Sequence, residues 1–343
     1  MNIVHLIYSL NTGGTETMLV DIANEQAKTE TVSIIIVNKS INESIADKIS
    51  KNIKVYRINR KPGSRNPIKI FKVNLLLKKI NPDVIHCHNH TLINLIQTPL
   101  KAKKFLTVHD IGYPVINFKK YHKLFAISNS VKNDILSNGN FNVQIVYNGI
   151  HTELLKKKEN CKLKNTFKIV QVGRLDHEKK GQHILIKALA QLKRNHPEIH
   201  FKLDFIGEGA SSNYLQKIVQ DNGLSKEVFF QGNKSRTYVY ENLCKYDLLV
   251  QPSIFEGFGL TVAEAMAAKV PVLVSNIHGP MEIINNGKYG AYFETENVHD
   301  CTKKIEYIID NYAEYIKIAE QALEYCQNNF SIISTARNYI TKY

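Results

Sequence analysis

The segment DLLVQPSIFEGFGLTVAEAMA, residues 247–267, indicates a short buried strand, a glycine-rich turn and an alanine-rich helix in direct succession. The apolar run at its start lacks strict alternation, which is typical of strands covered on both faces in a parallel sheet. The turn carries Glu256, and the helix, expected to begin near Thr261, carries Glu264. The segment therefore predicts an α/β fold and places two carboxylates beyond the end of one strand.

The same strand–turn–helix pattern recurs along the chain and predicts two doubly wound α/β domains. The first domain is expected over 1–155 and the second over 166–325, joined by a lysine-rich stretch near 151–166. The closing residues have helical spacing with a break near 328–331, and we expect 326–343 to pack back on the first domain. The predicted strands are 3–8, 32–37, 54–58, 83–87, 105–109, 124–128, 143–150, 167–173, 202–207, 228–232, 247–253 and 271–275.

Composition favours a reduced, cytoplasmic protein. With 343 residues and 43% hydrophobic content, the chain exceeds the size at which single cores usually split into domains. Five scattered cysteines form neither a CxxC pair nor a zinc pattern. The start, MNIVHLIYSLNTGG, predicts a buried strand rather than a signal peptide, and no run approaches the roughly 20 apolar residues that span a bilayer.

The positive charge is concentrated in the first half of the chain. The net charge is +14, and residues 1–150 hold 20 Lys and Arg against 9 Asp and Glu, an excess of 11. Between Asp47 and Asp83 there is no acidic residue, while eleven Lys and Arg accumulate. Solvated charge is the commoner cause of a basic run, but an acid-free one favours an anionic membrane surface or a phosphate-bearing partner.

In open parallel sheets, ligands bind beyond the carboxyl ends of the strands. The first strand runs into NTGGTET, where Gly13 and Gly14 allow close backbone approach before a helix. The strand ending in VGRLDHEKKG places Arg174 and one of Lys179 and Lys180 on a loop closed by Gly181, and two cations there suit a diphosphate leaving group. The alternative is a surface loop whose cations pair with its own acidic residues, Asp176 and Glu178.

The two glutamates of the opening segment are predicted to have different tasks. Free N–H groups of the turn and of the helix start form an anion site, Glu264 can accept both hydroxyls of a ribose, and Glu256 lies beside a sugar. A solvated helix with glutamates that only aid solubility is the alternative.

Glu256 and Glu264 form an E-x7-E pattern, and with VGRL…KKG and GGTE the chain resembles the retaining glycosyltransferases of family 4. The resemblance covers nearly the whole chain. It implies the GT-B fold, two Rossmann-like parallel-sheet domains facing each other across a cleft, the first binding the acceptor and the second the nucleotide sugar. It also implies that Glu256 contacts the donor hexose and Glu264 the ribose, that Arg174 and Lys180 hold the diphosphate, and that His109 reaches the donor sugar.

Many family members have one residue fewer between the arginine and the lysine, which leaves Lys179 as an alternative to Lys180. The backbone of the two glycine turns completes the donor contacts that the resemblance implies: Gly13, Gly14, Gly257, Phe258, Gly259 and Leu260.

No metal and no cofactor are expected. The chain has no Asp-x-Asp pair, the usual way of tying a divalent ion to a sugar nucleotide, so Arg174 and Lys180 must stabilise the diphosphate. His86, His88 and His90 alternate at a predicted strand end and should point one way, but no carboxylate or cysteine completes a metal site. An acceptor-side pocket or plain packing is the preferred interpretation of these histidines.

The resemblance implies transfer of a hexosyl group from a nucleotide diphosphate sugar, preferably of uridine, to a glycan or polyprenyl-diphosphate-linked acceptor in surface polysaccharide biosynthesis. The α configuration would be retained, with the leaving diphosphate accepting the acceptor's proton. Many relatives work at the inner face of the bacterial membrane, and the basic, apolar segment 66–80 could bind such a surface as an interfacial helix or simply cover the sheet.

Two other functions compete. A nucleotide-sugar epimerase of the same architecture would not need a basic first domain. A nucleic-acid-binding protein would explain the charge, but RNA-binding and helix-turn-helix motifs are not evident, so no nucleic-acid partner is expected.

Overall fold

A computed structural model describes residues 1–11 and 13–343 and divides them into two compact units. The first unit comprises 1–149 and 332–343, and the second comprises 150–331. No helix within the described residues combines the length and the apolar character needed to cross a membrane.

The first unit is built on a parallel sheet of seven strands, counted within the described residues, in the order β3-β2-β1-β4-β5-β6-β7. Its strands are β1 Asn2–Ile7, β2 Thr31–Asn38, β3 Lys54–Arg60, β4 Val84–Cys87, β5 Lys103–Val108, β6 Lys123–Ala126 and β7 Val143–Ile145. The α-helices that follow strands are α1 Gly14–Gln26, α2 Glu43–Ala46, α3 Pro67–Ile80 and α4 Asn129–Ser137. Two 3₁₀ helices, His90–Leu95 and Val115–Lys120, connect β4 to β5 and β5 to β6.

The second unit has a parallel sheet of six strands in the described part of the chain, in the order β10-β9-β8-β11-β12-β13. Its strands are β8 Phe167–Val172, β9 Phe201–Ile206, β10 Val228–Phe230, β11 Leu248–Gln251, β12 Val272–Ser275 and β13 Ala291–Phe293. Its α-helices are α5 His177–Lys180, α6 Gln182–Asn195, α7 Ser212–Asp221, α8 Arg236–Asn242, α9 Leu260–Ala267, α10 His278–Ile283, α11 Val298–Asp310 and α12 Tyr312–Phe330. A 3₁₀ helix, Leu243–Lys245, follows α8, and the last helix of the chain, α13 Ile332–Lys342, lies in the first unit against α1.

All twelve strands predicted from the sequence are present, and each sheet is fully parallel where its register is resolved. One strand, β13, was not predicted: its three residues, AYF, are too short a run to distinguish from a turn. The predicted break in the closing helix is confirmed, because α12 ends at Phe330 and Ser331 has extended backbone before α13 begins.

The lysine-rich stretch at the start of the second unit is anchored by one buried ion pair. Lys158 is 6% exposed, and its ammonium donates to the Asp247 carboxylate at 2.8 Å and to the Tyr246 carbonyl at 2.8 Å. Asp247 also accepts the backbone N–H of Lys168 at 2.9 Å and the hydroxyl of Tyr312 at 3.3 Å. This part of the stretch is therefore packed structure and not a free linker.

Candidate active site

Three neighbouring strands of the second unit, β9, β8 and β11, end at one edge of its sheet, and candidate site residues follow each of them. Gly173 and Arg174 follow β8, Gly207 and Glu208 follow β9, and the loop to Glu256 follows β11. A Cβ atom on Gly207 would lie 2.0 Å from the Gly173 carbonyl oxygen. The ends of β8 and β9 thus approach more closely than a side chain would allow.

Of the cations predicted to lie on a loop after β8, Arg174 does so, whereas Lys179 and Lys180 lie on α5, a single helical turn. Gly181 ends this turn in the left-handed region, at φ 62°, and a Cβ atom there would lie 1.9 Å from the Pro252 carbonyl oxygen. The N–H groups of Ile254 and Phe255 donate to the Lys179 carbonyl at 2.9 and 3.1 Å. Helix α5 is therefore docked, backbone to backbone, on the segment that follows β11.

This docking brings together a lysine of the helix that follows β8 and a glutamate of the segment that follows β11. The Lys180 ammonium forms an ion pair with the Glu256 carboxylate, which also accepts the Gln251 side-chain N–H at 3.2 Å. The side chains of Lys180 and Glu256 are 24% and 18% exposed, whereas Lys179 is exposed to solvent. Of the two candidate lysines, Lys180 is thus the one that faces Glu256.

Arg174 is exposed, and its guanidinium forms no ion pair with any residue that the structure describes. Its carbonyl accepts the side-chain N–H of the buried Gln182 at 2.9 Å, which fixes the backbone beneath it. Nor does any ion pair among the described residues join Arg174 or either lysine to Asp176 or Glu178. The interpretation in which the cations neutralise their own loop is therefore wrong.

The glycine turn after Glu256 is tightly packed. Gly259 has φ +104° and precedes α9, which starts one residue before the predicted Thr261. A Cβ atom on Gly279 would lie 2.6 Å from the Glu256 carbonyl oxygen, so the turn rests directly on the start of α10. The Phe258 side chain is buried with its ring against Phe330 at 5.7 Å, which leaves only its backbone for a ligand.

The start of α9 offers backbone donors. Within the described residues, the first backbone hydrogen bond of this helix comes from the N–H of Val262 to the Gly259 carbonyl, at 3.0 Å. The N–H groups of Leu260 and Thr261 have no such partner, which makes the helix start suitable for an anion.

Glu264 lies one turn into α9 and is 9% exposed. Burial, together with the Glu264 charge, raises the pKa of the Tyr240 hydroxyl above its ordinary value and the pKa of the Cys326 thiol to about 12. Glu264 is therefore held in a largely buried setting, in contrast to the more accessible Glu256.

A cavity of about 280 Å³ opens at the ends of β8, β9 and β10. Its polar lining consists of Arg174, Glu208, Asn233 and Lys234, and its apolar lining includes Val172 and Ile206. The Glu208 carboxylate accepts the Asn233 N–H at 3.3 Å. Of these side chains only Arg174 was singled out from the sequence, although Glu208, Asn233 and Lys234 each lie within two residues of a glycine that follows a strand.

The remaining predicted residues lie in the first unit. Gly13 precedes α1 and provides no side-chain cap, and a Cβ atom on Gly14 would meet open space. His109 follows directly after β5, is partly exposed, and its Nε2 lies 3.4 Å from Nδ1 of His88.

The alternation in VIHCHNH predicted that the three histidines point in one direction, and this prediction is wrong. His86 and His88 stack with ring centroids 4.6 Å apart, but His90 begins a 3₁₀ helix and lies edge-on to Tyr113 at 5.5 Å. The third member of the cluster is His5 of β1, which the sequence pattern did not single out. The alternation fails because β4 ends at Cys87.

Comparison with known proteins matches both halves of the chain to glycosyltransferase families. Residues 153–325 match the family model described as glycosyl transferases group 1, and residues 12–154 match the model described as glycosyltransferase family 4. An uncharacterised glycosyltransferase of Methanocaldococcus jannaschii is 28% identical over 67% of this chain and 66% of its own length.

A second relative matches 89% of this chain and 89% of its own length at 25% identity. It is the N-acetylgalactosamine-N,N'-diacetylbacillosaminyl-diphospho-undecaprenol 4-alpha-N-acetylgalactosaminyltransferase of Campylobacter jejuni. Among solved structures, a glycosyltransferase of Rickettsia africae has a TM-score of 0.85 at 23% identity and covers 100% of this chain and 97% of its own. Anabaena HepE, solved with UDP and glucose, has a TM-score of 0.82 at 20% identity and covers 100% and 99%.

Proposed function

The chain belongs to the group 1 glycosyltransferases and has the GT-B fold, and from that premise we propose that it moves a hexosyl group from a UDP-sugar to a hydroxyl of a glycan or lipid-linked glycan, with retention of the α configuration. The observation that carries this proposal is the contact of Lys180 with Glu256 at the carboxyl edge of the second sheet. Arg174 follows β8 at the same edge, and its guanidinium forms no ion pair within the described part of the chain. That edge is where an α/β sheet binds its ligand.

The electrostatics of this edge suit the departure of a diphosphate. When the bond from the anomeric carbon to the phosphate oxygen breaks, negative charge grows on the diphosphate, and Arg174, Lys180 and the N–H groups of Leu260 and Thr261 are available to stabilise it. The new bond forms from the acceptor oxygen to the same face of the anomeric carbon, and the acceptor's proton passes to the leaving phosphate oxygen. While the old bond breaks, Glu256 stabilises the positive charge that develops at the anomeric carbon.

We assign the nucleoside part of the donor to residues at the same edge of the second sheet. We place the base in the cavity lined by Glu208, Asn233 and Lys234, whose volume of about 280 Å³ lies near the lower end of ligand-pocket sizes. Glu264 takes the ribose hydroxyls. His109 of the first unit is assigned to a hydroxyl of the donor sugar on the strength of the family resemblance.

Uridine is preferred as the base, and the structure of Anabaena HepE, solved with UDP and glucose, supports that choice. The proposal includes catalysis without a metal ion, with Arg174 and Lys180 supplying the charge.

Binding measurements on the second unit's site test the donor assignment. Calorimetric titration with UDP, GDP and CDP should show the tightest binding for UDP, unaffected by EDTA. Lys180→Ala should weaken UDP binding and lower turnover by about 10²-fold or more, since single electrostatic donors of this kind are worth that much. Lys179→Ala is the matched control, and it should behave like wild type because Lys180, and not Lys179, contacts Glu256. Equal effects of the two variants would refute the assignment of Lys180.

We also propose that the first unit binds an anionic membrane surface through α3, which would bring the enzyme to a lipid-linked acceptor like that in the name of the Campylobacter relative. Ile68, Phe71 and Leu75 are 73%, 67% and 55% exposed and follow one another at helical spacing. Val73 and Leu77 of the same helix are buried in the core. Helix α3 thus covers the sheet with one face and leaves an apolar stripe on the other.

Charge complementarity favours anionic lipid as the occupant of this stripe. Lys72, Lys78 and Lys79 are exposed along α3, and each Lys near an anionic leaflet contributes about 1 kcal/mol. Lys69, in contrast, donates to the Ile58 carbonyl at 3.0 Å and is not part of the exposed set.

Sedimentation with vesicles tests the membrane proposal. Wild type should co-sediment with phosphatidylglycerol vesicles at low salt and not with phosphatidylcholine vesicles. The double variant Phe71→Ser/Leu75→Ser should lose most of the binding. Ile333→Ser, which alters an exposed apolar residue of α13 in the same unit, should keep it. Wild-type protein that stays in the supernatant with both vesicle types would refute the proposal.

A further inference from the structure

The core of the first unit contains a cluster of histidines that the proposed reaction does not use. His5 on β1, His86 on β4 and His88 just after β4 are all buried, and the rings of His5 and His86 lie 5.1 Å apart on neighbouring strands. His88 in turn lies next to His109, with ring centroids 5.7 Å apart. The cluster therefore connects the interior of the sheet with the residue assigned to the donor sugar.

The hydrogen bonds of this cluster form a continuous chain in which the donor at each link can be assigned. The Gln26 side-chain oxygen lies 2.8 Å from Nε2 of His5, so that nitrogen carries a proton and donates it. Nδ1 of His5 is then an acceptor, and it lies 3.1 Å from Nε2 of His88, which must be the donor. By the same logic Nδ1 of His88 accepts from Nε2 of His109, at 3.4 Å.

A second branch of hydrogen bonds starts from the same glutamine, and its donor assignments agree with those of the first branch. The Gln26 side-chain N–H donates to the Tyr343 hydroxyl at 3.3 Å, and that hydroxyl donates to Nδ1 of His86 at 2.7 Å. Nε2 of His86 then donates to the Thr107 hydroxyl at 2.7 Å. The Gln26 amide thus orients both branches at once.

Metal binding by His5, His86 and His88 is a competing interpretation. Their donor atoms lie within 4.8 Å of one another. Every ring nitrogen of the three already has a hydrogen-bond partner, so an ion would have to break two or more of these bonds in a buried site. The hydrogen-bonded chain accounts for all six nitrogens without an ion.

The imidazoles of this chain are neutral near pH 7. Burial lowers the pKa of His5 to about 4 and lowers the pKa of His86 and His88 well below the ordinary value. Partial loss of hydration lowers the pKa of the partly exposed His109 as well. A neutral imidazole has one donor and one acceptor nitrogen, so each link of the chain fixes the next.

We propose that the chain from Gln26 through His5 and His88 holds His109 in the tautomer protonated on Nε2, which leaves Nδ1 as a hydrogen-bond acceptor for a hydroxyl of the donor sugar. Nδ1 of His109 makes no hydrogen bond within the described part of the protein. Gln26, His5 and His88 are positioning residues in this account. The sugar contact rests on the proposed function, whereas the tautomer does not.

Nitrogen NMR of the protein without substrate tests the tautomer directly. In ¹⁵N-histidine-labelled protein at pH 7, His109 should show an unprotonated Nδ1 and a protonated Nε2, and the signals are assigned by their loss in His109→Asn. A protonated Nδ1, an equal mixture of tautomers or an imidazolium would overturn the proposal.

Two substitutions of His88 test whether the chain matters for turnover. His88→Leu removes the acceptor for His109 and should lower kcat by about 10-fold, the effect of one neutral hydrogen bond, with a mixed tautomer in the NMR spectrum. His88→Asn places an amide oxygen near the position of Nδ1 and should restore most of the turnover and the Nε2 tautomer.

The other branch provides the control. Thr107→Val removes the hydroxyl that His86 donates to and should lower stability while leaving kcat and the His109 tautomer unchanged. If His88→Asn were as impaired as His88→Leu, or if Thr107→Val changed the tautomer, the proposal would be wrong. Wild-type protein without transferase activity would refute the proposed function instead, and the NMR result would still decide the tautomer.

Discussion

Replacement of Gly181 by alanine should impair turnover because it pushes α5 away from the segment after β11. The new Cβ atom would lie 1.9 Å from the Pro252 carbonyl oxygen, whereas ordinary contacts begin at 3.4 Å. Helix α5 and the segment after β11 must therefore separate by about 1.5 Å, the difference between the two distances. Lys180 and Glu256 lie on these two segments.

A misplacement of about 1 Å at a reacting centre costs on the order of 10²-fold in rate, and we expect a loss of kcat of at least that size. The left-handed backbone of residue 181 adds about 1–2 kcal/mol of destabilisation for any residue with a Cβ atom. Turnover is measured by release of UDP from a UDP-sugar, and stability by urea unfolding followed by circular dichroism.

Gly223→Ala is the matched control for backbone strain. Gly223 has φ +66°, close to the +62° of Gly181, but a Cβ atom there meets nothing within 4 Å. Gly223→Ala should lose only the stability due to backbone strain, about 1–2 kcal/mol, and keep its turnover. A folded Gly181→Ala enzyme with near-normal kcat would show that the docking of α5 does not position Lys180 and Glu256.

Three further outcomes follow from the buried and site residues. The free energy of unfolding should fall as the pH drops from 6.5 toward 4, by about 1.4 kcal/mol per pH unit from His5 alone, because burial lowers the folded-state pKa of His5 to about 4 while the unfolded chain binds a proton near 6.5. Urea midpoints across this pH range measure the loss, and a flat profile would contradict the expectation. Lys158→Met should cost about 3–5 kcal/mol in urea unfolding because it leaves Asp247 buried without its cation, and the added change Asp247→Asn should recover part of the loss. Glu264→Ala should mainly raise the donor KM and Glu256→Ala should mainly lower kcat, and identical defects in steady-state kinetics would refute this division.

The fold could be predicted from the sequence because its main signals are local. Apolar runs without alternation identify buried parallel strands, and the helical spacing after each run identifies the crossover helices. The exception, β13, has only three residues, and its strand character comes from pairing with β12. Pairing partners of this kind are not visible in a local pattern.

The residues of the candidate site could be named from the sequence, but their contacts could not. The order of Arg174, Lys180 and Glu256 along the chain indicates their chemistry, yet the choice between Lys179 and Lys180 depends on how α5 docks, which is a tertiary effect. Likewise, His5 lies 81 residues before His86 in the sequence, and only the register of β1 on β4 brings the two rings together.

The anomeric configuration of the transferred sugar distinguishes a retaining glycosyltransferase from the alternatives. Wild-type enzyme is incubated with α-linked UDP-hexoses and a polyprenyl-diphosphate-linked sugar acceptor, with donor-only and acceptor-only controls, and the product is examined by proton NMR. We expect release of UDP coupled to formation of a product whose new anomeric proton has the coupling constant of an α-linkage. A β-linked product, or conversion of the donor to its epimer in the donor-only control, would contradict it.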